Sequence, residues 1–118
     1  MKKLTVIDLF SGAGGLSRGF YDAGYVIIMG IDSDSSALKT FEKNHGNAKA
    51  MNLDLFNHEN IYVLEKTMKK ERKQLDVLVG GPPCQGFSLA GKRDETDERN
   101  ILYSAMVKAA EILRPRAI

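Results

Sequence analysis

Short apolar, β-rich segments alternate with segments of helical periodicity along the chain, and this alternation constrains the fold more than any other feature. Strands are predicted at 4–9, 25–31, 48–53 and 75–79, and each is followed by a helix. A helix between consecutive strands lets them run in the same direction. The pattern therefore predicts an α/β, Rossmann-like fold with a mostly parallel sheet and helices on both faces.

The pattern stops in mid-unit at the end of the chain. The last predicted helix carries apolar positions from Leu102 to Leu113 and ends before Pro115, and Ala117-Ile118 is predicted to begin a fifth strand. We therefore expect residues 1–118 to form one partial domain, truncated at the start of the fifth strand, with enough residues to bury a core.

Composition excludes several classes of protein. A net charge of +2, from 17 basic and 15 acidic residues, is too small for nucleic-acid binding by charge alone, and the basic run from Lys66 to Lys73 is predicted to be a solvated face. No stretch approaches the roughly 20 apolar residues of a membrane helix. We expect a cytoplasmic protein without a membrane partner. The single cysteine excludes an internal disulfide and a zinc cluster of several thiolates, and no metal site is predicted.

Residues that follow the strands predict a ligand site, because ligands of open parallel sheets bind beyond the carboxyl ends of the strands. Glycines at 12, 14 and 15 follow the first strand, and Asp32 lies about 20 positions later, where a carboxylate can accept both ribose hydroxyls. The glycine pattern is not the full dinucleotide motif and no P-loop is present, so a nucleoside cofactor is favoured over a pyrophosphate; a simple tight turn is the alternative. Asp54 could bind an adenine amino group or act as a helix N-cap.

The segment from Gly80 to Ser88 holds the only cysteine of the chain. Pro82 and Pro83 present Cys84 at the ligand-facing end of a buried strand, whereas a structural cysteine would lie within the strand. A nearby Lys92 or Arg93 would lower the pKa of the thiol and favour the thiolate, which is the nucleophilic form. The segment indicates a catalytic cysteine.

The two segments resemble motifs of the cytosine-5 DNA methyltransferase family. Residues 8–15 (Asp-Leu-Phe-Ser-Gly-Ala-Gly-Gly) look like its first motif and residues 81–88 (Gly-Pro-Pro-Cys-Gln-Gly-Phe-Ser) like its catalytic fourth motif, with Asp32, Asp54 and residues 99–115 in the places of the second, third and fifth motifs. The resemblance implies that Cys84 adds to C6 of a flipped cytosine in double-stranded DNA, and that S-adenosyl-L-methionine donates the methyl group.

The resemblance also implies roles for individual residues. Phe10 would pack on the cofactor adenine, Asp32 would bind the ribose, Asp54 would bind the adenine, and Pro83 would position the nucleophile as well as contact the cofactor. The other implied cofactor-binding residues are Ser11, Gly12, Gly14, Ser33 and Leu55, and the implied DNA-binding residues are Gln85, Ser88, Lys92 and Arg93. Position 33 departs from the family, which often has a larger apolar residue there.

The family's next motif, which contains a glutamate, would follow Ile118, and its arginine-bearing motif and target-recognition region are absent from the sequence. We therefore expect the fragment alone to be inactive and to need a complementary chain or a carboxyl-terminal half. Three alternatives remain open: a nicotinamide-dependent dehydrogenase, an RNA cytosine-5 methyltransferase, and a cofactor-binding subunit of a split methyltransferase or a degenerate remnant that binds without catalysing.

Overall fold

The computed structural model describes residues 3–71, 74–81 and 98–118, the side chains of 98–102 excepted. Four parallel strands form one sheet: β1 (Thr5–Leu9), β2 (Val26–Asp32), β3 (Lys49–Asn52) and β4 (Val77–Gly80). The helices are α1 (Gly15–Asp22), α2 (Ser35–Asn44), α3 (Glu59–Lys70) and α4 (Glu98–Leu113). The predicted α/β fold is confirmed, and element boundaries differ from the expected ones by only a few residues.

Two apolar clusters cover opposite faces of the sheet. The larger packs α3 and α4 against the strands and includes Ile7, Leu9, Ile28, Ile61, Leu64, Leu78, Ala105 and Ala109. The smaller packs α1 and α2 on the other face and consists of Val6, Ile27, Leu38 and Phe41, with Phe20 at its border. Complete burial of one such large side chain stabilises the fold by about 1.5–3 kcal/mol, so the two clusters explain why helices lie on both faces.

At the predicted start of the fifth strand, the described residues form one isolated bridge rather than a strand. Ala117 forms a parallel bridge with Val77, and the Leu78 amide donates a hydrogen bond of 3.0 Å to the Ala117 carbonyl. β4 itself starts at Val77 rather than at Leu75. The preceding Asp76 instead uses its side chain, which accepts a hydrogen bond from the Thr5 amide at 2.9 Å.

The predicted solvated basic face is confirmed where the structure describes it, because Lys66, Lys69 and Lys70 are exposed on α3. Within the described part of the chain, no helix is both long and apolar enough to cross a membrane.

In α1, the helical spacing of Leu16, Phe20 and Ala23 predicts that these residues face inward, and the helix departs from this prediction at Leu16. Leu16 is 47% exposed, whereas Ser17 is completely buried. The reason is a buried carboxylate in β1, which gives the Ser17 hydroxyl a partner inside the molecule, as described below.

Candidate functional site at the carboxyl edge of the sheet

The sheet has a point at which the direction of strand addition reverses. The strand order is β3-β2-β1-β4, so the chain builds outward on one side of β1 and then returns to its other side. Leu9 and Gly80 lie opposite each other in the ladder between β1 and β4. Such a reversal opens a crevice beyond the strand ends, which is where parallel α/β sheets bind ligands. Here the crevice is flanked by residues that follow Leu9 and by Gly81.

The segment at residues 10–15, called the glycine loop below, turns sharply after β1. Phe10, Gly12 and Gly14 have φ angles of 56°, 54° and 95°, in the left-handed region that favours glycine. The Ser11 amide donates to the Ile31 carbonyl at 3.0 Å, and the Gly14 amide donates to the Ser11 carbonyl at 3.0 Å. Phe10 is the one non-glycine residue of the loop with such an angle, and a residue held in a rarely populated conformation at a strand end is typical of ligand sites.

Asp32 joins the glycine loop to the next turn. Its Oδ2 accepts a hydrogen bond from the Gly12 amide at 2.8 Å, and its Oδ1 accepts one from the Asp34 amide at 2.9 Å. The carboxylate therefore forms hydrogen bonds with both the loop that follows β1 and the turn that follows β2. Each oxygen has two lone pairs, so each can accept one more hydrogen bond from a ligand.

Asp8 connects the start of α1 to β1 through a buried side-chain contact. The N-cap residue of α1 is Gly14, which has no side chain to accept from the first free amides of the helix. The Asp8 carboxylate, near the end of β1, accepts a hydrogen bond from the Ser17 hydroxyl in the first turn of α1 at 2.6 Å. The loop can thus consist of small residues and still be fixed to the sheet.

The Asp8 carboxyl is an unusual electrostatic element of the site. It is 1% exposed, and its Oδ1 has no hydrogen-bond partner among the described residues. Burial raises the pKa of Asp8 above its ordinary value, the negative charge of Asp32 acts in the same direction, and the Ser17 and His45 side chains oppose the rise.

Gly14 is packed from behind by aromatic rings of α2 and its C-cap. A Cβ atom at position 14 would lie 2.7 Å from His45 Nε2 and 2.8 Å from Phe41 Cδ2, so only glycine fits. Gly12 is different, because nothing lies within 4 Å of its Cβ position. The loop is therefore tightly packed at one glycine and open at the other.

The described cofactor-binding candidates lie at or beside this edge. Phe10 is partly buried against the larger apolar cluster. Ser33 and Asp54 are exposed, and Asp54 Oδ1 accepts from the Phe56 amide at 2.9 Å; the N-cap of α3 is His58, so the N-cap alternative for Asp54 is wrong. The Leu55 side chain is 2% exposed and belongs to the core, which leaves only its backbone to meet a ligand. Their binding roles stay predictions.

The remaining candidates lie outside the described residues: Pro83, Cys84, Gln85, Ser88, Lys92 and Arg93. The structure does describe Gly80 and Gly81, which precede these candidates in the sequence. Gly80 pairs with Leu9, the residue before the glycine loop. The catalytic and DNA-binding roles of these candidates also stay predictions.

Two residues that support the loop were not identified from the sequence: Ser17 and His45. A serine among the apolar positions of α1 was a weak signal for a buried polar contact. No local pattern connects His45 with Gly14, since 31 positions separate them.

The site can be compared with known proteins. The family model described as C-5 cytosine-specific DNA methylase matches residues 4–118. The chain belongs to this family. The resemblance drawn from the two motifs is thereby confirmed, and the dehydrogenase alternative is excluded.

The chain resembles several type II methyltransferases. It is 39% identical over 114 residues to M.DdeI of Desulfomicrobium norvegicum, a match covering 96% of this chain and 26% of that protein. It is 38% identical over 112 residues to M.HgiGI of Herpetosiphon aurantiacus, covering 95% of this chain and 84% of that protein. A solved structure described as a DNA modification methyltransferase encoded within an E. coli prophage has a TM-score of 0.75 and 37% identity, over 96% of this chain and 30% of that one. The chain thus spans only about a quarter of the length of M.DdeI.

Proposed function

We propose that this chain provides the cofactor site and the nucleophile for methyl transfer from S-adenosyl-L-methionine to C5 of cytosine in double-stranded DNA. The observation that carries the proposal is the pairing of Leu9 with Gly80 at the reversal point of the sheet. This pairing places the start of the glycine loop beside Gly80 and Gly81, the described residues that precede Cys84 in the sequence. Family membership supports the reaction type. The family model is described as a DNA methylase and a similar solved structure as a DNA modification methyltransferase, which favours DNA over the RNA alternative.

The described residues fit a nucleoside cofactor. The space beside Gly12 lets a ligand approach the backbone, and each Asp32 oxygen keeps a lone pair for a ribose hydroxyl. Phe10, whose inner side rests on the core, offers an apolar surface for an adenine, and Asp54 stands exposed at the end of β3. When bound, S-adenosyl-L-methionine supplies an activated methyl group.

Cys84 is proposed as the nucleophile. Its thiolate adds to C6 of a cytosine that has been flipped out of the duplex, and this addition makes C5 electron-rich enough to accept a methyl group. Loss of the C5 proton to a base then expels the thiolate and restores the aromatic ring. Gln85, Ser88, Lys92 and Arg93 are proposed to contact the DNA, where the two basic residues would meet phosphates.

We propose further that the chain alone does not complete this reaction and acts with a complementary chain or a carboxyl-terminal half, in the bacterial cytoplasm. The glutamate expected after Ile118 supports the addition step in the family, and removal of one such group can lower a rate about 100- to 1000-fold. A net charge of +2 also provides few phosphate contacts.

Calorimetric titration of the chain with S-adenosylhomocysteine tests the cofactor site. We expect Asp32→Ala to weaken binding about 10- to 100-fold, the loss expected when hydrogen bonds to a charged group disappear. Asp22→Ala is the control, since Asp22 lies on an exposed face and forms an ion pair with Arg18, and the affinity of this variant should equal that of the wild type. Absence of heat with wild type at millimolar ligand, or equal affinity of Asp32→Ala, would refute the site.

A 5-fluorocytosine duplex tests the nucleophile once a complementary half from a related methylase is added. Fluorine at C5 blocks the final elimination, so a covalent adduct should accumulate with wild type and be absent with Cys84→Ser. A full yield of adduct with Cys84→Ser would remove Cys84 from the mechanism.

A further inference from the structure

His45 is a buried histidine that none of the proposed chemistry uses. It is the C-cap residue of α2 and is 5% exposed. Its Nε2 lies 3.0 Å from the Gly14 carbonyl oxygen. Because a carbonyl oxygen can only accept, Nε2 must carry the hydrogen, which fixes the neutral ring in one tautomer.

The carbonyl that His45 contacts belongs to the first turn of α1. Gly14 O also accepts the Arg18 amide at 2.9 Å, the hydrogen bond that begins the helix. His45 therefore acts at the point where the glycine loop becomes α1. It does so from a different helix, so that α2 and the loop are joined by a directed contact as well as by packing.

The ring of His45 has little freedom to leave this position. Its centroid lies 4.7 Å from that of Phe41, and Tyr21 stands edge-on at 6.5 Å. The backbone of His45 is held as well, because its amide donates to the Phe41 carbonyl at 2.8 Å and its carbonyl accepts the Ala48 amide at 2.9 Å.

We propose that His45 is a positioning residue for the cofactor site: its Nε2–H holds the Gly14 carbonyl and keeps the glycine loop in the conformation that receives the cofactor. This inference rests on the proposed cofactor site. If the loop adopts the binding conformation for only a fraction of the time, the affinity for the cofactor is reduced by that fraction. Loss of the hydrogen bond from His45 to Gly14 should therefore weaken binding without removing any contact to the ligand.

Two substitutions separate this role from simple packing. His45→Phe retains an aromatic ring of similar size and removes the donor, whereas His45→Gln removes the ring and keeps an N–H donor at a similar distance from the backbone. If His45 only fills space, the phenylalanine variant should resemble wild type and the glutamine variant should be the poorer one. The proposal predicts the opposite order.

The first measurement needs no cofactor. Hydrogen exchange of the Gly14 amide, which is bonded to the Ser11 carbonyl, reports how often the loop opens. We expect exchange to be about 3- to 10-fold faster in His45→Phe and within about 2-fold of wild type in His45→Gln. His58→Phe, which alters the other histidine, on α3 at the opposite face, should change nothing. Nitrogen chemical shifts of the wild-type ring should show hydrogen on Nε2, and hydrogen on Nδ1 alone would overturn the proposal even if a variant fails to fold.

The second measurement is the affinity for S-adenosylhomocysteine. We expect an approximately 3- to 10-fold weaker Kd for His45→Phe and a wild-type Kd for His45→Gln. If wild type binds and both variants bind with the wild-type Kd, the positioning role is wrong while the cofactor site stands. If wild type does not bind, the cofactor site is wrong, and with it the proposal that His45 serves cofactor binding.

Discussion

Gly14, Gly12 and Gly15 are three neighbouring glycines in different surroundings, and replacing each with alanine tests how the loop is held. A Cβ at Gly14 would meet His45 Nε2 at 2.7 Å and Phe41 Cδ2 at 2.8 Å, distances that real Cβ atoms do not show. Gly12 has free space around its Cβ position but a φ of 54°. Gly15 has free space and no left-handed angle.

The expected magnitudes follow from these surroundings. A left-handed angle costs alanine about 1–2 kcal/mol, and this is the whole expected loss in unfolding free energy for Gly12→Ala. Gly14→Ala adds an overpacking cost of about 1–3 kcal/mol, because the Phe41 and His45 rings are buried and cannot swing away, which gives a total of about 2–5 kcal/mol. Gly15→Ala lies in the first turn of α1 and should be neutral or stabilise the protein by up to about 1 kcal/mol.

Chemical denaturation of the three variants, followed by circular dichroism, measures these differences. The predicted order of unfolding free energy is Gly15→Ala highest, Gly12→Ala intermediate and Gly14→Ala lowest. If the unfolding free energies of Gly14→Ala and Gly12→Ala differ by less than about 0.5 kcal/mol, the packing of Gly14 against Phe41 and His45 is looser than these distances indicate. A large loss in Gly15→Ala would refute the assignment of the packed glycine altogether.

Two further predictions concern residues behind the loop. Because burial raises the pKa of Asp8 in the folded protein, the native state keeps its proton to higher pH than the unfolded chain, so this group's contribution to stability is full below its ordinary pKa and is lost as pH rises through the folded value. The unfolding free energy of Asp8→Asn relative to wild type should therefore increase with pH across that window in denaturation experiments, and a difference that is independent of pH would contradict the assignment. Phe41→Ala, at a completely buried position, should lower the unfolding free energy by about 3–5 kcal/mol; a loss below about 1 kcal/mol would mean that the smaller cluster does not hold α2 to the sheet.

The sequence predicted the sheet and the place of the site because both depend on local patterns. Apolar runs interrupted by Asp or Gly mark the ends of β1 and β2, and the carboxyl ends of parallel strands share one edge. Asp32 was predicted as a ligand residue because it follows the glycines by about 20 positions. In the structure Asp32 accepts a hydrogen bond from the amide of Gly12, 20 positions before it.

The contacts that hold the loop could not be predicted in the same way. The buried partner of Ser17 in α1 is Asp8, on the preceding strand, and the partner of the Gly14 carbonyl is His45, so both contacts depend on how distant elements pack in three dimensions. Helical periodicity favoured Leu16 as an inward residue, but a single buried carboxylate reversed the preference in favour of Ser17. Local propensity loses to a tertiary partner at such a position.

The hydrogen bond between Ser17 of α1 and Asp8 of β1 has a consequence for how the protein folds. At eight residues α1 is shorter than the roughly 12–15 residues that an isolated helix needs to be even marginally stable, and its start depends on groups from β1 and α2. The start of α1 is therefore expected to form only together with the sheet, although the glycine loop can still open locally within the folded protein. A ligand that selects this loop is thermodynamically linked to global unfolding, so that saturation at 100 times its Kd would raise the stability of the whole sheet by about 2.7 kcal/mol.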